Sequence, residues 1–289
     1  MKNKEINKNG NNKKKIKKKI LKIGACVLAS VLIVGVLMFA NSLVGNPISQ
    51  AIAKNTAEKH LEKTYGDADY ELGEVTYSFK DGYYHAHISS PSSKDTRFSL
   101  MINSFGELKN DNYDSYVESG FNTAQRIDSE YRKAVETVFG SSKFPYNENI
   151  GFGELIFIAE EDKNAADVQD YALVTNELTP DAYYDANELG KKAGKLTVYI
   201  EDDNVSAEKM AEILLGIRKC FDESGLSFYA IDCVLEPVDN FSTDNRVEVM
   251  EFRYADIYEE GLVERVEEAD KAAKDYYYTW DSEKFEEQP

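Results

Sequence analysis

The side chains with which this chain could do chemistry are few. All three histidines fall between positions 60 and 87. His85-Ala86-His87 on a strand puts two imidazoles on one side, and such a pair holds Zn²⁺ or another divalent ion once a third ligand arrives. His60 does not fit as that ligand. Its helix should cover the apolar face of the sheet, whereas His85 and His87 point to the opposite face, so the plain reading of the pair is a solvated strand surface. Cys220 and Cys233 are the only thiols outside the apolar run that contains Cys26. From the turn at Gly225, Cys220 lies about 7.5 Å back along a helix and Cys233 about 26 Å on along a strand. A disulfide needs Cα atoms within about 7 Å, so two buried free thiols are expected.

Asp232 sits among apolar neighbours and is a candidate for a tuned carboxylate, although a hydrogen-bonded or edge-exposed acid is the commoner outcome there. The acidic clusters Glu160-Glu161-Asp162, Glu201-Asp202-Asp203 and Glu259-Glu260 lack the alternating spacing of a calcium loop and read as sites of loose cation condensation. Gly151-Phe152-Gly153 is too short to cradle a phosphate. There is no GxSxG, HExxH, CxxC or P-loop, so no catalytic constellation and no cofactor site can be assembled. Tyrosine is in excess, with 19 residues that include Tyr83-Tyr84, Tyr183-Tyr184 and Tyr276-Tyr277-Tyr278 near Trp280. Packing accounts for most of them; exposed ones could stack on sugars or grip a peptide strand.

What must position these residues follows from charge. The chain has 289 residues, 42% of them apolar, with 34 Lys and Arg against 52 Asp and Glu. That is enough for one large or two modest folded domains plus an appendage. Ten Lys and one Glu fall in residues 1–22, and residues 23–44 carry no charge, which leaves −27 on residues 45–289 of a chain whose net charge is −18. An acidic body does not bind nucleic acid, which needs Lys and Arg against its phosphates. The 22 uncharged residues make a helix of roughly 33 Å, enough to cross a hydrocarbon layer about 30 Å thick. Lysine-rich flanks stay in the cytoplasm, so the N-terminus is expected inside and residues 45–289 outside, with the lipid bilayer as partner through residues 23–44.

Three other readings use the same run. A cleaved signal would use the small residues Ala40 and Ser42, but the stretch exceeds the 7–15 residues of such signals. A lipobox ending at Cys26 would have to close the apolar region, whereas Cys26 opens it. A core helix of a soluble protein would need polar residues on one face. Residues 1–12 have nothing with which to build a core and are expected to lack structure.

Beyond Gly45-Asn46-Pro47, which should stop the helix, Ile48, Ile52, Ala53, Ala57, Leu61 and Tyr65 recur at helical spacing. Alternating strands around Val75–Phe79, Tyr84–Ile88 and Phe98–Ile102 then make an antiparallel meander, and a helix is expected over 116–139. A break at 141–145 suggests a boundary, giving domains at 45–145 and 146–289. The second half reads as strands at 155–158, 196–200, 226–235 and 246–253, with a further short strand at 171–174. Helices are expected at 185–193, 206–223 and 258–279, the last turning Leu262, Val266, Ala269, Ala273, Tyr276 and Trp280 inward. The apolar strand 226–235 should be central and covered on both faces. The expected class is α+β: one transmembrane helix, a helix-plus-meander domain and a ferredoxin-like sandwich.

Gly66-Asp67-Ala68-Asp69-Tyr70 through Val75–Tyr84 to Ser90-Pro91-Ser92-Ser93-Lys94-Asp95, and Phe228-Tyr229-Ala230-Ile231-Asp232, resemble the YfjL-like proteins of Gram-positive bacteria over most of 46–280. The resemblance implies a membrane-anchored protein and carries over no functional residue. The helix and meander also look like a PepSY-type module, which would imply a binding or inhibitory role at the cell surface. The expected function is a membrane-tethered extracytoplasmic binding or regulatory protein, not an enzyme, with an envelope protein or peptide as partner. The alternative is an extracytoplasmic metal-dependent hydrolase using His85 and His87.

Overall fold

The computed structural model describes residues 2–146, 148–163, 165, 169–238 and 245–286; side chains are described from residue 18, apart from 20, 37, 148–149 and 277–286. Helix α1 (Lys2–Val44) takes in both the apolar run and the basic tail. The expectation that residues 1–12 lack structure is therefore corrected for residues 2–12, which continue α1 despite their Asn and Gly; extending an existing helix needs no new nucleus. Every described side chain from Ile23 to Val44 is exposed, so this is not the core helix of a soluble fold, which would bury a stripe. Among the described residues α1 supplies one apolar stretch long enough to cross a membrane.

The helix stops where Gly45 takes the left-handed conformation (φ +69°). Asn46 then caps α2 (Pro47–Tyr65), its Oδ1 accepting the Ser49 N–H at 2.8 Å, and Pro47 takes the first helical position, where a missing N–H loses nothing. Four antiparallel strands follow in chain order, β1 (Glu71–Ser78), β2 (Tyr83–Ser89), β3 (Arg97–Ile102) and β4 (Leu108–Asp111). The alternation reads correctly: Tyr84, Ala86 and Ile88 of β2 are buried, while His85 and His87 face the other way. Helix α2 meets the sheet with Ser49, Ala53 and Ala57. These small side chains let helix and sheet approach closely, so Ile48 and Ile52, expected on the same stripe, face outward instead.

Contacts divide the chain into two compact units, residues 1–92 with 97–113, and residues 93–96 with 114–289. The boundary expected at 145 lies inside the second unit, because α3 (Phe121–Phe139) packs on β5 (Glu148–Leu155). A short parallel pair, β6 (Phe157–Ile158) and β7 (Leu173–Val174), precedes α4 (Ala186–Ala193) and β8 (Gly194–Glu201). Helix α5 (Ala207–Ser224) is capped by Ser206 and ends at left-handed Gly225, as the sequence indicates. After it come β9 (Ala230–Glu236), β10 (Val247–Arg253) and α6 (Leu262–Glu286).

The second sheet has the order β10-β9-β8-β5, with β8 and β9 parallel across α5 and both outer pairs antiparallel. A ferredoxin-like sheet interleaves the strands of its two halves; here the four strands lie side by side in chain order, with β6 and β7 in a separate pair, so that detail of the expectation is not confirmed. Central β9 is buried from Ala230 to Leu235. Leu226 and Phe228, placed on that strand by sequence, are buried from the loop ahead of it. On α6, Leu262, Val266 and Ala273 turn inward, whereas Tyr276 is exposed. The side chains of Tyr277, Tyr278 and Trp280 lie outside those described.

Candidate functional site

The histidines are engaged locally. His85 Nε2 lies 2.9 Å from Asp81 Oδ2, His87 Nε2 lies 3.2 Å from Thr76 Oγ1, and His60 Nε2 lies 2.7 Å from Asp111 Oδ2. Tyr65 also donates to Asp111 Oδ2 at 2.9 Å, within a packed group of Tyr65, Tyr70, Phe98 and Tyr113. Among the described residues no three His, Cys, Asp or Glu side chains are grouped to hold a metal ion. His85 and His87 thus share a face as read, and among the described residues they belong to no metal-holding group of three.

Cys220 and Cys233 are free. Burial pushes the Cys233 thiol up to about 12 and also raises that of Cys220, which makes both poor nucleophiles at neutral pH. Tyr83-Tyr84 and Tyr183-Tyr184 each split between roles. Tyr84 is buried, and Tyr184 Oη accepts the Thr179 N–H at 2.8 Å. Tyr183 is 87% exposed beside an open groove of about 540 Å³ that also has Lys143, Asp185 and Glu223 on its walls.

Asp232 belongs to a charged knot in the second unit. Its Oδ2 lies 2.8 Å from Lys195 Nζ and its Oδ1 accepts the Glu251 N–H at 2.7 Å. The Glu251 carboxylate takes the second contact of Lys195 and accepts the Tyr171 hydroxyl. Glu251 sits at φ +51° inside an irregularity of β10 between Val249 and Phe252. A side chain held in that conformation costs about 1–2 kcal/mol, offset here by the lysine and tyrosine contacts. Burial would push the Lys195 ammonium down, but the hydrogen bonds it donates to Asp232 and Glu251 hold it above its ordinary value. Burial, and then the Glu251 contact, raise the Tyr171 phenol. With the lysine held charged and the tyrosine held protonated, the knot ties β8, β9 and β10 together at one end.

A second clasp lies in the same unit. Asp95, 1% exposed, takes Arg126 in a bidentate pair (Nε–Oδ1 2.7 Å, Nη2–Oδ2 3.0 Å) and accepts the Asp181 N–H at 2.8 Å. Asp181, at φ +60°, returns its Oδ1 to the N–H groups of Lys94 and Asp95. Burial alone would raise the Asp95 carboxyl, yet Arg126 and the backbone donor hold it below the ordinary carboxylate range. Sequence reading missed Lys195, Glu251, Tyr171, Arg126 and Asp95. Their partners lie tens of residues away, and no local pattern announces them.

The remaining built feature is the root of α1. Tyr77 Oη donates to the Ser42 carbonyl at 3.1 Å, and Tyr84 Oη accepts the Asn46 N–H at 2.8 Å while lying 3.2 Å from the Asn46 carbonyl. A Cβ at Gly45 would fall 2.7 Å from Tyr77 Cγ and 2.8 Å from Tyr84 Oη. Only glycine fits here, on both space and φ.

Fold and site together define an α+β protein of two units, the first carrying a free-standing apolar helix. The chain matches the YfjL-like N-terminal domain over residues 17–114 and the YfjL-like C-terminal domain over residues 130–267. It belongs to the YfjL-like family. No curated protein and no solved structure matches it.

Proposed function

We propose that this chain is a membrane-tethered binding or regulatory protein, its lysine-rich end in the cytoplasm and residues 45–289 outside. The observation that carries this reading is α1 itself. Its residues 23–44 are uncharged with no described side chain buried, are preceded by ten lysines and are fixed at their other end to a folded sheet. A charge asymmetry of this kind orients a span. Recognition is favoured over catalysis because the most buried charged groups described above, Asp95 with Arg126 and Asp232 with Lys195, are engaged with one another. In the first unit β1 lies at an edge of its sheet, where an extended peptide can add as a further strand. Gln50 Nε2 donates to the Val75 carbonyl at 2.6 Å, which leaves the Glu71–Glu74 half of the strand for pairing, and the two glutamates there favour a basic segment.

The test is a photo-crosslinking residue at Glu74 of the full chain in intact cells, with Thr64 on α2 as the reference position. The expected outcome is an adduct with an envelope protein or peptide from position 74 only. The same adducts from both positions, or none from 74, would overturn the reading.

A further inference from the structure

Four large apolar side chains of the first unit beyond α1 are exposed. Phe105 in the β3–β4 turn is 91% exposed, Ile48 on α2 74%, Phe79 in the β1–β2 turn 64% and Ile52 on α2 40%. They are far apart in sequence, and the register brings them to one end of the unit. Tyr77 pairs with Tyr84, Tyr84 with Ile102, and Ile102 with Leu108, making one row across the sheet. Both turns project beyond that row on the same side, as turns one and three of a meander must. Gly106 packs against Ile52, and Thr56 Oγ1 donates to the Gly106 carbonyl at 2.9 Å, which ties the second turn to the first half of α2.

This is also the end at which α1 leaves. Tyr77 and Tyr84, the first two members of the row, grip Ser42 and Asn46. The exposed side chains of residues 23–44 mean that α1 does not double back along the unit. The apolar run ends at Val44, so the Ser42 carbonyl marks the depth at which hydrocarbon gives way to headgroups. On each side of the bilayer that zone is about 5–8 Å deep. Phe79 follows Tyr77 by two residues, at most about 7 Å of backbone, and its turn projects from the end of the sheet whose Tyr77 hydroxyl holds the Ser42 carbonyl.

We propose that the first unit rests on the leaflet from which it emerges, with Phe79, Phe105 and Ile48 immersed among the headgroups around the root of α1. The occupant of this apolar surface is the lipid interface itself. Tyr77 supplies the amphipathic ring typical of that depth, and Lys80 beside Phe79 can reach phosphates. The inference rests on the membrane reading of α1 made above and adds an orientation to it: Tyr65, at the far end of α2, packs on Phe98, four residues along β3 from Ile102, so Ala68 lies on the order of 13 Å back from the row of residues at the surface.

The test places single tryptophans in the full chain, in a Trp280→Phe background, reconstituted in vesicles whose phosphatidylcholine is brominated either high or midway along its acyl chains. Leu32→Trp reports the span, Phe79→Trp and Phe105→Trp the turns, and Ala68→Trp the far end. Circular dichroism checks that each variant folds. The expected result is quenching of Leu32→Trp by mid-chain bromine, and a blue shift with quenching of both turn variants by high bromine, with no change at Ala68→Trp. If Leu32→Trp is quenched but the turns are quenched no more than Ala68→Trp, the docking inference is overturned. If Leu32→Trp is not quenched, the membrane reading itself fails.

Discussion

Asp95 shows how one residue can carry a pH dependence. Its folded carboxyl titrates below the unfolded value of about 3.9. The pair with Arg126 therefore contributes stability that is present above that pH and is lost as pH falls through the folded value. Removing the arginine leaves a buried carboxylate uncompensated, which costs about 3 kcal/mol at neutral pH. In that variant the carboxyl prefers its neutral form, so acid should relieve the defect. Urea titrations of the full chain followed by circular dichroism should show Arg126→Ala well below the parent at neutral pH and the gap narrowing by about pH 3.5. A gap that stays constant with pH would mean that packing of the arginine stem, not its charge, matters.

Between elements, the junction of α1, α2 and the meander depends on the absence of a side chain at Gly45. Its neighbours Tyr77 and Tyr84 are ring systems packed at 5.1 Å between centroids, not flexible chain ends that could swing away. Gly45→Ala would meet both rings and take a disfavoured φ. The combined penalty is about 2–4 kcal/mol, the φ term alone being about 1–2. Tyr84→Phe keeps the packing but leaves the Asn46 N–H without its partner, at about 1–3 kcal/mol. Thermal unfolding of the first unit, followed by tyrosine fluorescence and near-ultraviolet circular dichroism, should rank the parent above Tyr84→Phe and Gly45→Ala. A Gly45→Ala protein as stable as the parent would show that the helix is not seated as described.

At the scale of the whole molecule, three differently charged segments follow one another, and their order sets the expected topology. Protease added to intact cells should digest residues 45–289 and leave the lysine-rich segment attached to the membrane, and a carbonate wash should not release the chain. Survival of the acidic body would place it inside. The amino-acid sequence by itself determined the uncharged span, the Gly45-Asn46-Pro47 stop, the caps of α5 and the alternation of the meander, because each is a local pattern read within a turn or a strand. It also kept Cys220 and Cys233 apart, since helix rise and strand rise alone exceed the reach of a disulfide. Tertiary structure alone decided that Ile48 and Ile52 face out. The tight seat of Ser49, Ala53 and Ala57 depends on the sheet they meet, which helical periodicity cannot see. The strand order of the second sheet and the partners of Asp232 and Asp95 were likewise invisible, because pairings between distant segments follow from packing that no short window contains.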